Sequence, residues 1–77
     1  MKGIQATINV HAPDIAIVKE AIEAEITSAP YQKTEITLSA EEDTLTVTIS
    51  SVDLRALRGT FNSCMNWLMT ALDSLSL

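Results

Sequence analysis

The C-terminal part of the chain carries the longest periodic pattern in the sequence, and this pattern limits the possible folds more than any other feature. From Asp53 onward, large apolar residues recur at steps of three and four, as they do along one face of an amphipathic α-helix. These residues are Leu54, Leu57, Phe61, Cys64 with Met65, Leu68, Leu72 and Leu75. The chain is therefore predicted to end in a long helix.

Two kinds of pattern occupy the preceding residues. Apolar and polar residues alternate in segments 4–11, 35–39 and 44–50, which is typical of strands with one buried face. The acidic turn Glu41-Glu42-Asp43 separates the last two segments and predicts a hairpin with a threonine-rich outer face. Helical spacing appears after Pro13-Asp14, a pair that favours a helix N-terminus. The residues at that spacing are Ile15, Val18, Ile22 and Ile26.

The order strand, helix, strand, strand, helix predicts an α+β fold. The expected sheet has three antiparallel strands in the order 1-3-2, with both helices packed on one face. A chain of 77 residues has room for a single domain, spanning residues 1–77, and its core must be thin. Cys64 and His11 are the only residues of their types, so neither an intramolecular disulfide nor a Cys/His zinc site fits within one chain. Oligomerisation remains as the means of stabilising such a small core.

Charge and composition exclude several classes of function. The net charge is −5 with only 5 Lys and Arg residues, which argues against autonomous binding to nucleic acid. The N-terminus has no apolar stretch of signal-peptide length, and no segment approaches the ~20 apolar residues of a membrane span. We therefore expect a cytoplasmic protein without membrane contact. Having only Gly3 and Gly59, the chain lacks a Walker loop, a dinucleotide-binding fingerprint and the GXXG loop of a KH domain.

The sequence contains no recognisable catalytic constellation. The carboxylates of Glu41, Glu42 and Asp43 fall at a hairpin turn, where solvation explains them better than a metal or catalytic site does. His11 is isolated at the end of the first strand and is interpreted as a surface residue. Cys64 lies on the apolar stripe of the last helix and is interpreted as a small core residue rather than a reactive thiol. We expect no catalytic residue, no metal and no cofactor.

The start of the last helix breaks local rules of helix composition. Arg55 and Arg58 stand near the helix N-terminus, where the helix dipole disfavours cations, and Gly59 costs about 1 kcal/mol relative to alanine inside a helix. One interpretation is an external requirement: two guanidinium groups to bind a carboxylate or phosphate, and a missing side chain that lets another backbone approach. The other is internal, with both arginines paired to acids of the same domain and Gly59 making room for the first helix.

The same helix has more apolar surface than one core face needs. A polar line runs beside the apolar stripe, and three large apolar side chains fall outside the narrowest core face. The polar line consists of Arg55, Gly59, Asn62 and Asn66, and the additional apolar residues are Met65, Trp67 and Met69. In a domain with a thin core, this excess indicates a protein–protein interface, at which we place Trp67.

These residues also carry a resemblance to a known family. The run Ala56-Leu57-Arg58-Gly59-Thr60, followed by Asn62-Ser63 and Trp67, resembles the small subunit of the KEOPS complex, also called EKC, of the CTAG/Pcc family. A second match is Ala29-Pro30-Tyr31 before Thr34-Glu35-Ile36. The similarity extends over nearly the whole chain, including its length and element order.

The resemblance implies a non-catalytic scaffold subunit. Members of this family homodimerise, often through a sheet continued across two copies, and use their helices to bind the catalytic Kae subunit. The complex transfers a threonylcarbamoyl group to the adenosine next to the anticodon of tRNAs that read codons beginning with A, and the small subunit helps it hold tRNA. By the resemblance, Arg58, Gly59, Asn62 and Ser63 match the motif near the partner or tRNA surface, whereas Arg55 matches no motif position.

Other functions remain open at the level of sequence. A stand-alone small RNA-binding α+β module is one alternative, against which the missing GXXG loop and the acidic balance weigh. A small enzyme with a site shared across a dimer, using Arg55, Arg58 and His11, is another, and a homodimer with a different protein partner is a third. The dimer surface is also open, because exposed strand edges or a helix contact through Trp67 and Met69 would both serve.

Overall fold

The structure, a computed structural model, describes residues 3–28 and 33–75. The chain forms strand β1, helix α1, strands β2 and β3, and helix α2 in that order, as predicted from the sequence. The elements are β1 Ile4–His11, α1 Ile15–Ser28, β2 Thr34–Glu41, β3 Thr44–Ser51 and α2 Leu54–Leu75. The Ala29-Pro30-Tyr31 part of the family motif lies outside the described residues.

The three strands form one antiparallel sheet in the predicted order β1-β3-β2. Val47 at the centre of β3 stands opposite Ile8 of β1 and Leu38 of β2, so apolar residues of all three strands share one face. Because side chains alternate along a strand, the residues between them form the opposite, polar face. The α+β prediction is therefore confirmed, and one face of the sheet is left for both helices.

The core lies between that apolar face and the two helices. Nine apolar residues are buried, and they come from α1, the central strand and α2 in equal numbers. They are Ile15, Val18, Ile22, Leu45, Val47, Ile49, Leu57, Cys64 and Leu68. The apolar residues of the edge strands pack against this cluster but stay partly exposed, as expected of a thin core.

Each helix begins at a defined polar residue. The Oδ1 atom of Asp53 accepts hydrogen bonds from the backbone N–H groups of Arg55, at 2.9 Å, and Ala56, at 3.4 Å, which makes it the N-cap of α2. Asp14 immediately precedes α1 with a φ of 56°, a left-handed conformation that aspartate tolerates better than most residues. Pro13 therefore lies two residues before the first residue of α1, Ile15.

The polar face of the sheet carries side-chain hydrogen bonds between β1 and β3. Gln5 donates to Ser50, at 3.3 Å, and Thr46 donates to Asn9, at 3.0 Å. The hairpin between β2 and β3 is tighter than the acidic run suggested, because Glu41 still belongs to β2 and only Glu42 and Asp43 form the loop. In residues 3–28 and 33–75, neither helix has the length and apolar composition that crossing a membrane requires.

Candidate partner-binding surface

The two arginines at the start of α2 point away from the rest of the fold. Both Arg55 and Arg58 are exposed, and neither forms an ion pair with another described residue. The nearby carboxylate of Asp53 caps the helix and lies 3.8 Å from the ammonium group of Lys33 instead. For the described part of the chain, the internal interpretation of the arginines is therefore wrong.

Gly59 is not required by any contact within the described fold. The residue is exposed, its φ is not positive, and a Cβ added to it would meet no atom within 4 Å. The interpretation that Gly59 makes room for α1 is therefore wrong. An open glycine inside a helix remains a local cost of about 1 kcal/mol that nothing in the described monomer offsets.

Thr60, the last residue of the Leu-Arg-Gly-Thr run, has a structural role that the sequence did not reveal. Its side chain is buried, and its hydroxyl lies 3.0 Å from the hydroxyl of Thr34 at the start of β2. The hydrogen bond ties α2 to the sheet below it. Thr60 therefore belongs to the core, while Arg58 and Gly59 before it face solvent.

The remaining predicted site residues divide between two sides of α2. Asn62 and Asn66 are exposed and continue the polar line of Arg55 and Gly59 on the side of the helix opposite the core. Ser63 and Trp67 are only half-buried and lie on the flank that turns toward α1. The structure thus brings Arg55, Gly59, Asn62 and Asn66 into one outward line and places Ser63 and Trp67 on another flank, where Trp67 lines a different surface.

That different surface is a groove between α1 and α2, with a volume of about 310 Å³. All the described residues that line it come from the two helices, so it opens on the side away from the sheet. They are Ile17, Ala21, Glu25, Trp67, Thr70, Ala71, Ser74 and Leu75. The lining is mainly apolar, and the side chain of Ile17 is 54% exposed. A concave, mainly apolar lining of this kind can receive the apolar side chains of a partner.

Of the described lining residues, sequence reasoning placed only Trp67 at an interface, and Met69, which it named with Trp67, is not among them. Ile17 and Ala21 form the α1 wall, and they are separated by one helical turn. The available signal was Ile17 itself, a large apolar residue outside the buried stripe of Ile15, Val18 and Ile22.

The other candidate groups have structural explanations. Cys64 is fully buried, and burial raises the pKa of its thiol, which confirms its interpretation as a core residue. The Nδ1 atom of His11 lies 3.0 Å from the Thr44 hydroxyl on the polar face of the sheet. Across residues 3–28 and 33–75, no three His, Cys, Asp or Glu side chains stand close enough together to hold a metal ion.

Comparison with known proteins identifies the family. The sequence model of a family described as "Transcription factor Pcc1" matches residues 5–76, which is nearly the whole chain. This chain belongs to the Pcc1 family. A Pcc1 relative, the KEOPS complex subunit Pcc1 of Pyrococcus abyssi (strain GE5 / Orsay), is 33% identical over 79 residues, covering 99% of this chain and 96% of that protein. The resemblance drawn from the Leu-Arg-Gly-Thr run is confirmed.

Among the described residues of this Pcc1-family chain, each outer strand of the sheet pairs only with β3, so β1 and β2 are each unpaired on one side. The two edges differ in charge, because β1 contains no Asp, Glu, Lys or Arg, whereas β2 contains Glu35 and Glu41. Charged side chains on an edge strand oppose pairing with another chain, and their absence permits it. The β1 edge is therefore the one that is chemically open to a further strand.

Proposed function

We propose that this Pcc1-family chain is a non-catalytic scaffold subunit of a KEOPS complex, in which it forms a homodimer and binds the catalytic Kae subunit. The complex would make threonylcarbamoyladenosine next to the anticodon of tRNA. Support comes from the family and from the relative that is named as a KEOPS subunit. The structural observation that carries the proposal is the apolar groove between α1 and α2.

The shape of the groove suits a helical partner. β1 and β3 run in opposite directions, α1 follows β1 and α2 follows β3, and each helix packs on the sheet as it returns from the strand that it follows. The two helices therefore run in opposite directions and enclose a channel between them. An amphipathic helix that lays its apolar face into such a channel is a recurrent mode of protein recognition.

The homodimer is assigned to the β1 edge in this proposal. Pairing two β1 strands would continue the sheet across the dimer without bringing like charges together. The same pairing through β2 would bring Glu35 and Glu41 of the two copies onto one small sheet surface. A dimer through β1 also leaves the groove on the helical side open, so that each copy can bind one catalytic subunit.

Contact with tRNA is proposed only within the assembled complex. A chain with a net charge of −5 and 5 cations attracts phosphate poorly alone, which also weighs against action as an independent DNA-binding factor. Arg55 and Arg58 are exposed cations without described acidic partners, so they can serve a partner or the tRNA once other subunits neutralise the acidic surroundings. The open backbone at Gly59 and the amides of Asn62 and Asn66 extend this surface.

The proposal is tested by light scattering of the purified chain, alone and mixed with the catalytic Kae subunit encoded in the same genome. We expect a dimer that shifts to a discrete larger complex. Ala21→Trp, which fills the groove without changing charge, should weaken that complex, whereas Ala16→Trp, at an exposed position of α1 outside the groove, should not. A monomer that does not bind the catalytic subunit would contradict the proposal. So would equal binding of that subunit by the two variants.

The arginine surface is tested in the same mixture. Arg58→Glu reverses an exposed charge without removing a described ion pair, so the isolated chain should fold as before. We expect it to lower tRNA binding or assembly of the complete complex while the dimer mass stays unchanged. An unchanged complex with unchanged tRNA binding would remove Arg58 from the proposed surface.

A further inference from the structure

The hydroxyl and carboxylate groups in the described lining of the groove between α1 and α2 offer a partner hydrogen-bond acceptors. The hydroxyl of Thr70 donates to the carbonyl of Asn66, at 2.9 Å, and the hydroxyl of Ser74 donates to the carbonyl of Thr70, at 3.1 Å. Each of these hydroxyls has a single proton, so their lone pairs are what remains for a partner. Glu25, the only charged residue among the described lining, is likewise an acceptor when ionised.

The carboxylate of Glu25 stands where the backbone is already negative. α1 ends at Ser28, so Glu25 belongs to its last turn, which contains no Lys, Arg or His. The carbonyl end of a helix carries a partial negative charge that favours cations and disfavours carboxylates. Within residues 3–28 and 33–75, Glu25 forms no ion pair. Lys19, the cation on the same helix, lies 3.9 Å from Glu23 instead.

We propose that the partner helix held in this groove carries a Lys or Arg side chain that lies against Glu25 at the C-terminal end of α1. This inference rests on the proposed function, since it specifies the chemistry of the helix that the groove binds. The apolar wall of Ile17, Ala21 and Trp67 takes the apolar face of that helix, and the cation pairs with the one uncompensated charge at the rim. A partner with a carboxylate at that position is rejected by repulsion.

The position of Glu25 sets the size of the expected effect. The residue is exposed, so the charge pair lies at the rim of the interface rather than in its dry centre. Rim charges act mainly on the association rate and on its dependence on salt. Glu25→Gln should weaken binding about three- to tenfold at low salt and much less at high salt, and Glu25→Lys should weaken it more than Glu25→Gln does.

The test measures the affinity of the catalytic Kae subunit for the full chain at low and high salt. Glu20→Gln is the matched control, because it removes the same charge from an exposed position of the same helix outside the groove. We expect the Glu25→Gln variant to bind the catalytic Kae subunit more weakly than the Glu20→Gln variant does. Its affinity should also depend less on salt than the affinity of the unmodified chain. Equal affinities of the two glutamine variants would overturn the inference.

The groove-filling variant separates this inference from the proposed function. If Ala21→Trp weakens binding while Glu25→Gln matches its control, the groove binds the catalytic subunit but the charge pairing is wrong. If Ala21→Trp has no effect, or if the unmodified chain does not bind, then the groove is not the docking site and both statements fail. Thermal unfolding of each variant, which should match the unmodified chain within a few degrees, verifies that the fold is intact.

Discussion

The hydroxyl of Thr60 in α2 lies 3.0 Å from the hydroxyl of Thr34 at the first position of β2. Thr60 is 2% exposed, so its hydroxyl cannot exchange this partner for solvent without movement of the helix. The hydrogen bond therefore fixes the start of α2, and with it Arg58 and Gly59, relative to the sheet.

Thr60→Val should destabilise the fold by about 1 kcal/mol, the usual net value of a buried hydrogen bond. Valine keeps the branched shape of threonine, so little packing is lost with the hydroxyl. Urea unfolding at a fixed protein concentration provides the free energy of unfolding for this variant, for Thr34→Val and for the double variant. If the loss of unfolding free energy in the double variant equals the sum of the losses in the two single variants, a direct contact between the hydroxyls is contradicted.

Gly59→Ala should stabilise the isolated chain and weaken its assembly. The added methyl group meets no atom within 4 Å and removes a glycine from inside a helix, which is worth about 1 kcal/mol. In a domain of this size that gain raises the melting temperature by about 4–8 °C. The same methyl group should reduce the affinity of the complex if another backbone approaches α2 here. A lower melting temperature would mean that position 59 is already covered in the homodimer.

The fold followed from the sequence because each element has one periodicity and one covered face. The alternation in β1 and in residues 44–50 of β3 matches their inner and outer faces, and the short Glu42-Asp43 loop allows only an antiparallel hairpin. The order of the strands then follows from placing β1 beside β3, at one of the two free edges of that hairpin. These steps use local patterns, which a single sequence contains.

The candidate surface followed only in part because it depends on how the two helices pack against each other. The sequence pointed to Trp67 and the arginines through broken local rules, but periodicity does not say which flank of α1 faces α2. Periodicity therefore leaves Ile17 unassigned, and the packing of the two helices places it in the groove. The burial of Thr60 was missed for a different reason: its spacing from Leu57 and Cys64 fits the buried stripe of α2, but a polar threonine gives no apolar signal.

Alkaline pH should destabilise the fold through Cys64. Burial raises the pKa of this thiol above its unfolded value, so the unfolded chain loses the proton first as pH rises. Stability linked to this group is therefore intact below the ordinary thiol pKa of about 8.5 and declines as pH rises from there toward the folded pKa. Unfolding free energies measured across this range should fall less steeply for Cys64→Ala. Parallel pH profiles would contradict the linkage.

A matched pair of lysine substitutions distinguishes the two sheet edges as dimer surfaces. Thr7 of β1 and Thr37 of β2 stand opposite the same residue of the central strand, Thr48, and both are exposed on the polar face. In a dimer through β1, the lysines of Thr7→Lys come from the middle of two paired strands and repel each other. Thr37→Lys adds the same charge at the far edge.

Sedimentation at low salt should therefore reveal a larger monomer fraction for Thr7→Lys alone, and added salt should restore its dimer. A larger monomer fraction for Thr37→Lys than for Thr7→Lys would assign the dimer to β2. Equal monomer fractions would exclude both edges in favour of a helical contact.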